Sequence, residues 1–136
     1  MLSKEELDLK TYKDLKTYNE ELLRLNEEAE SYYINQVRKE GYEPDFFGVV
    51  KPFADRVKET SENWKPLAEA FVLKTKPKHL YPIQITHTFD NLEVVAIKSF
   101  YPKTGLKKQI ETFKSVAFVL NQLNQLLDEE QDTTHH

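Results

Sequence analysis

No cysteine occurs anywhere in the chain of 136 residues. That one absence removes disulfides, thiolate metal ligands and a cysteine nucleophile together. Glycine and proline are scarce, three and six, so tight turns are few and an all-β fold is disfavoured. No apolar run approaches the ~20 residues of a membrane span. The opening "MLSKEELDLK" lacks the apolar stretch of a signal peptide. The expectation is a cytoplasmic protein with no membrane partner.

Catalytic signatures are missing as well. No Glu-x-x-His and no His-x-x-x-His occurs, so neither the carboxylate di-iron site of helical bundles nor a helical zinc pair is encoded. Of the four histidines, only His79 and His87 fall in the expected folded region; His135 and His136 are terminal. There is no Gly-x-Ser-x-Gly and no glycine-rich phosphate loop, and "DFFG" (45–48) is not the kinase Asp-Phe-Gly. No metal and no cofactor is expected.

What remains is helical periodicity. Punctuation at "EGYEPD" (40–45), "KPKHLYP" (76–82) and "YPKTG" (101–105) divides the chain into four amphipathic segments. In the first, Ser3 and Glu6 have capping-box spacing, with Leu2 and Leu7 at the staple positions. Leu15, Tyr18, Leu22, Leu25, Ala29 and Tyr32 then form a stripe, and Gly41 suits the C-terminal cap. In the second, Asp45 is the N-cap. Phe46, Val50, Phe53, Val57, Thr60, Trp64, Leu67 and Phe71 follow in alternating steps of four and three. That stripe keeps phase through Pro52 and Pro66, which predicts one long helix bent at its prolines. Proline removes a hydrogen bond and presses on the carbonyl four residues back. For Pro52 that residue is Gly48, so the two read as one bending device.

The third segment runs from Pro82 to about Phe100 with Ile85, Phe89, Leu92 and Ala96 inward. The fourth runs from near Thr104 to about Asp128 through Leu106, Ile110, Phe113, Ala117, Leu120, Asn124 and Leu127. Four such helices with short connections predict an all-α, antiparallel up-and-down four-helix bundle in one domain. Residues 1–10 would extend the first helix beyond the bundle, and 129–136 would form a frayed acidic tail. Asn124 breaks its apolar stripe and is expected to pair with Thr11 as a buried polar layer.

Candidate sites are few. Tyr42, Phe47 and Tyr101 lie off the main stripes and gather at one end of the bundle. An exposed aromatic patch there would meet a protein partner; the alternative is a packed lid over the core. Arg38, Lys39, Lys103, Lys107 and Lys108 share that end and are candidates for binding an anion. Lys74, Lys76, Lys78 and His79 lie at the other end, where Glu5, Glu6, Asp8, Asp128, Glu129 and Glu130 would compensate them. His87, Asp90 and Asn91 share one helical face, either as a base oriented by a carboxylate or as a polar surface ladder. The net charge of −4, from 19 basic and 23 acidic residues, argues against a nucleic-acid partner.

With "DFFGVVKP" (45–52), Trp64, "KPKHLYPIQI" (76–85) and "DNL" (90–92), the chain from about Tyr42 to Leu127 resembles the YppE-like proteins, a family of small proteins of Firmicutes with a domain of unknown function. The resemblance implies a four-helix up-and-down bundle. It brings no activity, cofactor or site residue. The first functional expectation is therefore a non-enzymatic protein that binds another protein. The second is a small-ligand sensor or enzyme using His87 and Asp90. The third is anion or nucleic-acid binding through the basic end.

Overall fold

Helix α1 (Lys4–Tyr32) starts where the Ser3 hydroxyl accepts the backbone N–H of Glu6 at 3.1 Å. The same hydroxyl donates to the Glu6 carboxylate at 3.0 Å, which does not accept from the Ser3 backbone N–H, so the box closes through side chains. The computed structural model describes residues 3–134, apart from the side chains of Lys4, Leu7 and 131–134. The expected Leu2–Leu7 staple and His135 and His136 lie outside the described residues. Three more helices follow: α2 (Lys51–Thr75), α3 (Pro82–Lys98) and α4 (Leu106–Thr134). Helix α4 thus passes Asp128, where the sequence pattern ends it. Among the described residues there is no strand.

The helices run up and down. Along α1 and α2, Asp8 meets Lys74, Asn19 meets Trp64 and Glu28 meets Arg56. One number rises as the other falls, which is the antiparallel arrangement. Along α1 and α4 the pairs are Lys16 with Asp128, Asn19 with Leu120 and Asn26 with Phe113. Helix α3 closes the ring between α2 and α4: just past its end, Phe100 meets Phe53 edge-to-face at 5.2 Å, and Ser99 accepts from Gln109 at 2.9 Å. The pairing of Asp8 with Lys74 holds α1 against α2 already in its second turn. Helix α2 continues through Pro66 without interruption.

The core follows the periodic stripes with phase differences: Asn19, Tyr33 and Thr88 are buried beside half-buried Tyr18, Tyr32 and Phe89, Leu106 is exposed, and further differences fall in α4 and α2. In α4 the buried set is Gln109, Phe113, Val116, Val119, Leu120, Leu123 and Leu127. Phe113, Leu120 and Leu127 belong to the expected stripe. Between them, Val116 and Leu123 point inward while Ala117 and Asn124 are half-buried. Branched side chains remove more apolar area from water than alanine or asparagine, so the helix turns them in. The expected Asn124–Thr11 pair is therefore not formed. Asn124 lies beside the core rather than in it, and its Oδ1 finds no donor among the described residues. In α2, Ser61 and Ala68 are buried in place of Thr60 and Leu67. Small residues one turn either side of Trp64 leave room for its indole, which is fully buried.

That indole anchors a polar contact that the apolar stripes do not reveal. Trp64 Nε1–H donates to Asn19 Oδ1 at 3.0 Å, and Asn19 Nδ2 donates to the Leu120 carbonyl at 2.7 Å. One amide with 0% exposure thereby ties α1, α2 and α4 at one level. Donor and acceptor are both used, so its burial leaves no unpaired polar atom.

Candidate functional site

The end of the bundle formed by the last turn of α1, the first of α2 and the α3–α4 connection departs most from regular helix. Helix α1 widens into a π turn, Tyr33–Val37, and a second π turn, Phe46–Val50, leads into α2. Gly41 reverses the chain between them with φ +80°, a value that favours glycine.

The cause of the second π turn is local. Pro52 has no N–H, so the bond to the Gly48 carbonyl that would lock α register cannot form. The Val49 and Val50 N–H groups instead share the Asp45 carbonyl at 2.9 and 3.0 Å, and the Lys51 N–H reaches back five residues to Phe46. A turn closed by i to i+5 bonds stacks Phe46 over Lys51 and Phe47 over Pro52. Both are exposed positions. The expectation that Phe46 begins the core stripe, which assumed α spacing from Val50, is thus overturned: Phe46 is 47% exposed. Gly48 serves the cap. Its N–H donates to Asp45 Oδ1 at 2.9 Å, and a β-carbon there would clash with the Asp45 carboxylate.

The three expected patch residues separate. Phe47 is 80% exposed and stands edge-to-face on Phe46, centroids 5.1 Å apart. Tyr101 packs half-buried against the core. Tyr42 does the same, its ring 6.3 Å from that of Tyr32 and its hydroxyl donating to the Phe100 carbonyl at 3.0 Å. Tyr42 and Tyr101 are the lid, and the exposed pair is Phe46 with Phe47. Burial, reinforced by the Tyr32 and Tyr101 phenols and Asp45, pushes the Tyr42 phenol up to about 12. The fold favours the neutral phenol, so this contribution to stability is complete below pH 10 and is lost as pH rises from 10 towards 12. Replacing Tyr42 by phenylalanine should cost about 0.5–1.5 kcal/mol at neutral pH. It should also remove a late-titrating tyrosine from the ultraviolet absorbance titration. Unchanged titration would place the phenol in water.

Next to this turn, with Gly48 and Val49 in its wall, opens an apolar cleft of about 260 Å³ between α1 and the start of α2. Ala29, Phe53 and Phe100 form its buried floor, with Tyr32, Val49 and Pro52 around them. Glu28 and Arg56 pair across its rim at 3.2 Å, and the Arg56 guanidinium also lies 5.6 Å from the Phe53 ring. A shallower depression continues along α1 past Tyr32 to Asn35 and Gln36. Sequence reasoning missed Phe46 and this cleft. The available signal was Pro52, whose missing donor frees the preceding turn from α register.

The five basic candidates, Arg38, Lys39, Lys103, Lys107 and Lys108, are all exposed at this end. Among the ion pairs of the described residues, none involves them. Their backbone is tied to the lid: the Tyr42 N–H donates to the Lys39 carbonyl at 3.2 Å, and the Tyr33 hydroxyl donates to the carbonyl of Thr104, next to Lys103, at 2.8 Å. At the opposite end, compensation is realised by Lys74 with Asp8 and by Lys16 with Asp128.

His87 and Asn91 line an open groove of about 500 Å³ between α3 and α4, together with Gln84, Thr88, Lys114, Ser115, Phe118 and Val119. Asp90 does not line it, and no hydrogen bond joins Asp90 to His87. The expected pairing of a base with its orienting carboxylate is not assembled. Among the described residues, no group of three or more His, Asp or Glu side chains could hold a metal ion.

The geometry defines an all-helical bundle with a kinked, aromatic end. The chain belongs to the family of the bacterial domain of unknown function DUF1798, whose model matches residues 19–127. It is similar to a protein of unknown function from Listeria innocua, with a TM-score of 0.83 and 24% identity over 91% of this chain and 98% of that one. It is also similar to the protein yppE of Bacillus subtilis, with a TM-score of 0.80 and 20% identity over 87% and 95% of the two chains. At these identities the likeness shows the fold, and it agrees with the YppE-like resemblance read from residues 42–127. No functionally curated protein is similar to the chain. Among the described residues, no helix is long and apolar enough to cross a membrane.

Proposed function

We propose that this is a non-enzymatic, cytoplasmic binding protein that holds another protein by the end bearing Phe46 and Phe47. One observation carries the reading. Two adjacent phenylalanines lie on the surface in a π turn, at positions where regular helix would have buried one of them. Leaving large apolar surface in water has a cost. Exposed aromatics beside an apolar cleft are the usual centre of a protein interface. π turns inside helical proteins also concentrate at functional positions.

The test separates binding from folding. Phe47 is 80% exposed and buries little, so the Phe47→Ser variant should keep its circular-dichroism spectrum and unfold within about 0.5 kcal/mol of the natural protein. A photo-crosslinking residue placed at position 49 in the native bacterium should give discrete adducts with the natural protein and none with the variant. Equal adducts from both proteins, or a large loss of stability in the variant, would defeat the proposal.

A further inference from the structure

We infer that the segment held at this end is acidic and carries an aromatic or branched aliphatic anchor, the anchor entering the cleft beside Phe47 and the carboxylates meeting Arg38, Lys39, Lys103 and Lys107. The inference rests on the reading just proposed and adds the chemistry of the partner.

Charge complementarity supports it. The chain is acidic overall, with a net charge of −4. Yet around the lid Arg38, Lys39, Lys98, Lys103, Lys107 and Lys108 are exposed and outside every ion pair of the described residues. The carboxylates of the same connections and of the first turns of α4 are Glu40, Glu43, Asp45 and Glu111, and Asp45 is engaged in capping Gly48. The cations therefore outnumber the acids that could neutralise them. None of them lines the apolar cleft. Lys39 belongs to the turn that carries Tyr42 over Phe100, and Lys103 precedes the Thr104 carbonyl held by Tyr33.

This separation favours a peptide over a nucleic acid. A peptide can place an apolar side chain in the cleft and its carboxylates several residues away. Each nucleotide brings a phosphate with it, and a base in the cleft would carry that charge to a rim whose cation, Arg56, is already paired with Glu28. Opposite charges at the edge of an interface raise the association rate and select the partner, while the anchor supplies most of the affinity.

The test is selection of a random phage-displayed peptide library on the immobilised full-length chain. Enriched peptides should join an aromatic or leucine-like anchor to a run of Asp or Glu. Their affinity should fall about tenfold or more with Phe47→Ser, and again with Lys103→Glu/Lys107→Glu, and should weaken with added salt. Both variants should keep the natural helical spectrum. Enriched peptides that need Phe47 but are neutral or basic would overturn the acidic assignment and leave the binding end standing. Peptides indifferent to Phe47→Ser, or no enrichment, would overturn both. Tighter binding of a single-stranded oligonucleotide than of any enriched peptide, lost with the lysine variant, would overturn the peptide assignment.

Discussion

Replacing Trp64 by alanine is expected to lower the stability of the bundle by about 3–5 kcal/mol. The indole is fully buried at the level where α1, α2 and α4 meet. Its removal opens a cavity that Ser61 and Ala68, the small residues on either side, are too short to fill. It also strips Asn19 Oδ1 of its donor, leaving a buried acceptor unpaired at a further cost of about 1–3 kcal/mol if the amide does not readjust. The chain has one tryptophan, so in the natural protein its emission reports this contact alone. Urea unfolding followed by circular dichroism gives the variant's stability, and Trp64→Phe divides the effect. Phenylalanine keeps most of the packing and loses the N–H. A Trp64→Ala variant within about 1 kcal/mol of the natural protein would mean that the bundle closes over the gap.

The position of Trp64 was legible from its stripe, and so were the bundle and its connections. The fourth-helix stripe was legible only in part, because periodicity fixes every seventh residue more firmly than those between. Phe113, Leu120 and Leu127 fit either of two phases, and the choice between Val116 with Leu123 and Ala117 with Asn124 depends on which set buries more apolar surface against α1. Once Leu123 turns in, the reason for pairing Asn124 with Thr11 disappears. Phe46 was misplaced for a different reason. Spacing arguments assume one hydrogen-bond pattern throughout, and Pro52 changes the pattern one turn before it. The lid was half legible: Tyr42, Phe47 and Tyr101 do share an end, but only local geometry decides which rings reach the Phe100 carbonyl and which face water. Asn19 and Asn26 were hidden because asparagine reads as surface, although both are in step with Leu15 and Leu22 and are buried.

Changing Asn19 to aspartate should be as damaging as the loss of the indole near pH 7, at about 3–5 kcal/mol, and far less so in acid. The two side chains have the same shape. Aspartate Oδ1 could still accept the Trp64 N–H, but the other oxygen would replace the donor that now lies 2.7 Å from the Leu120 carbonyl. Two acceptors would face each other in a site with 0% exposure. A carboxylate there is destabilised by burial and by the carbonyl dipole, so its folded pKa rises above the unfolded value of about 3.9. The sign follows from that inequality. Below about pH 4 the carboxyl is protonated in both states, and its O–H can donate to Leu120 much as the amide does. As pH rises through the folded value the unfolded chain has already released its proton, and stability is lost until both states are ionised. Urea unfolding of Asn19→Asp and the natural protein at about pH 4 and pH 7 should therefore show a gap that widens with pH. Asn26→Leu provides the contrast. Asn26 donates to the Phe113 carbonyl at 3.0 Å, but its own Oδ1 has no donor among the described residues. Replacing it by leucine leaves no other side chain unpaired and should be near neutral. No loss in Asn19→Asp at pH 7 would mean that Asn19 serves the fold by its shape, and that the three helices do not depend on its two hydrogen bonds for their register.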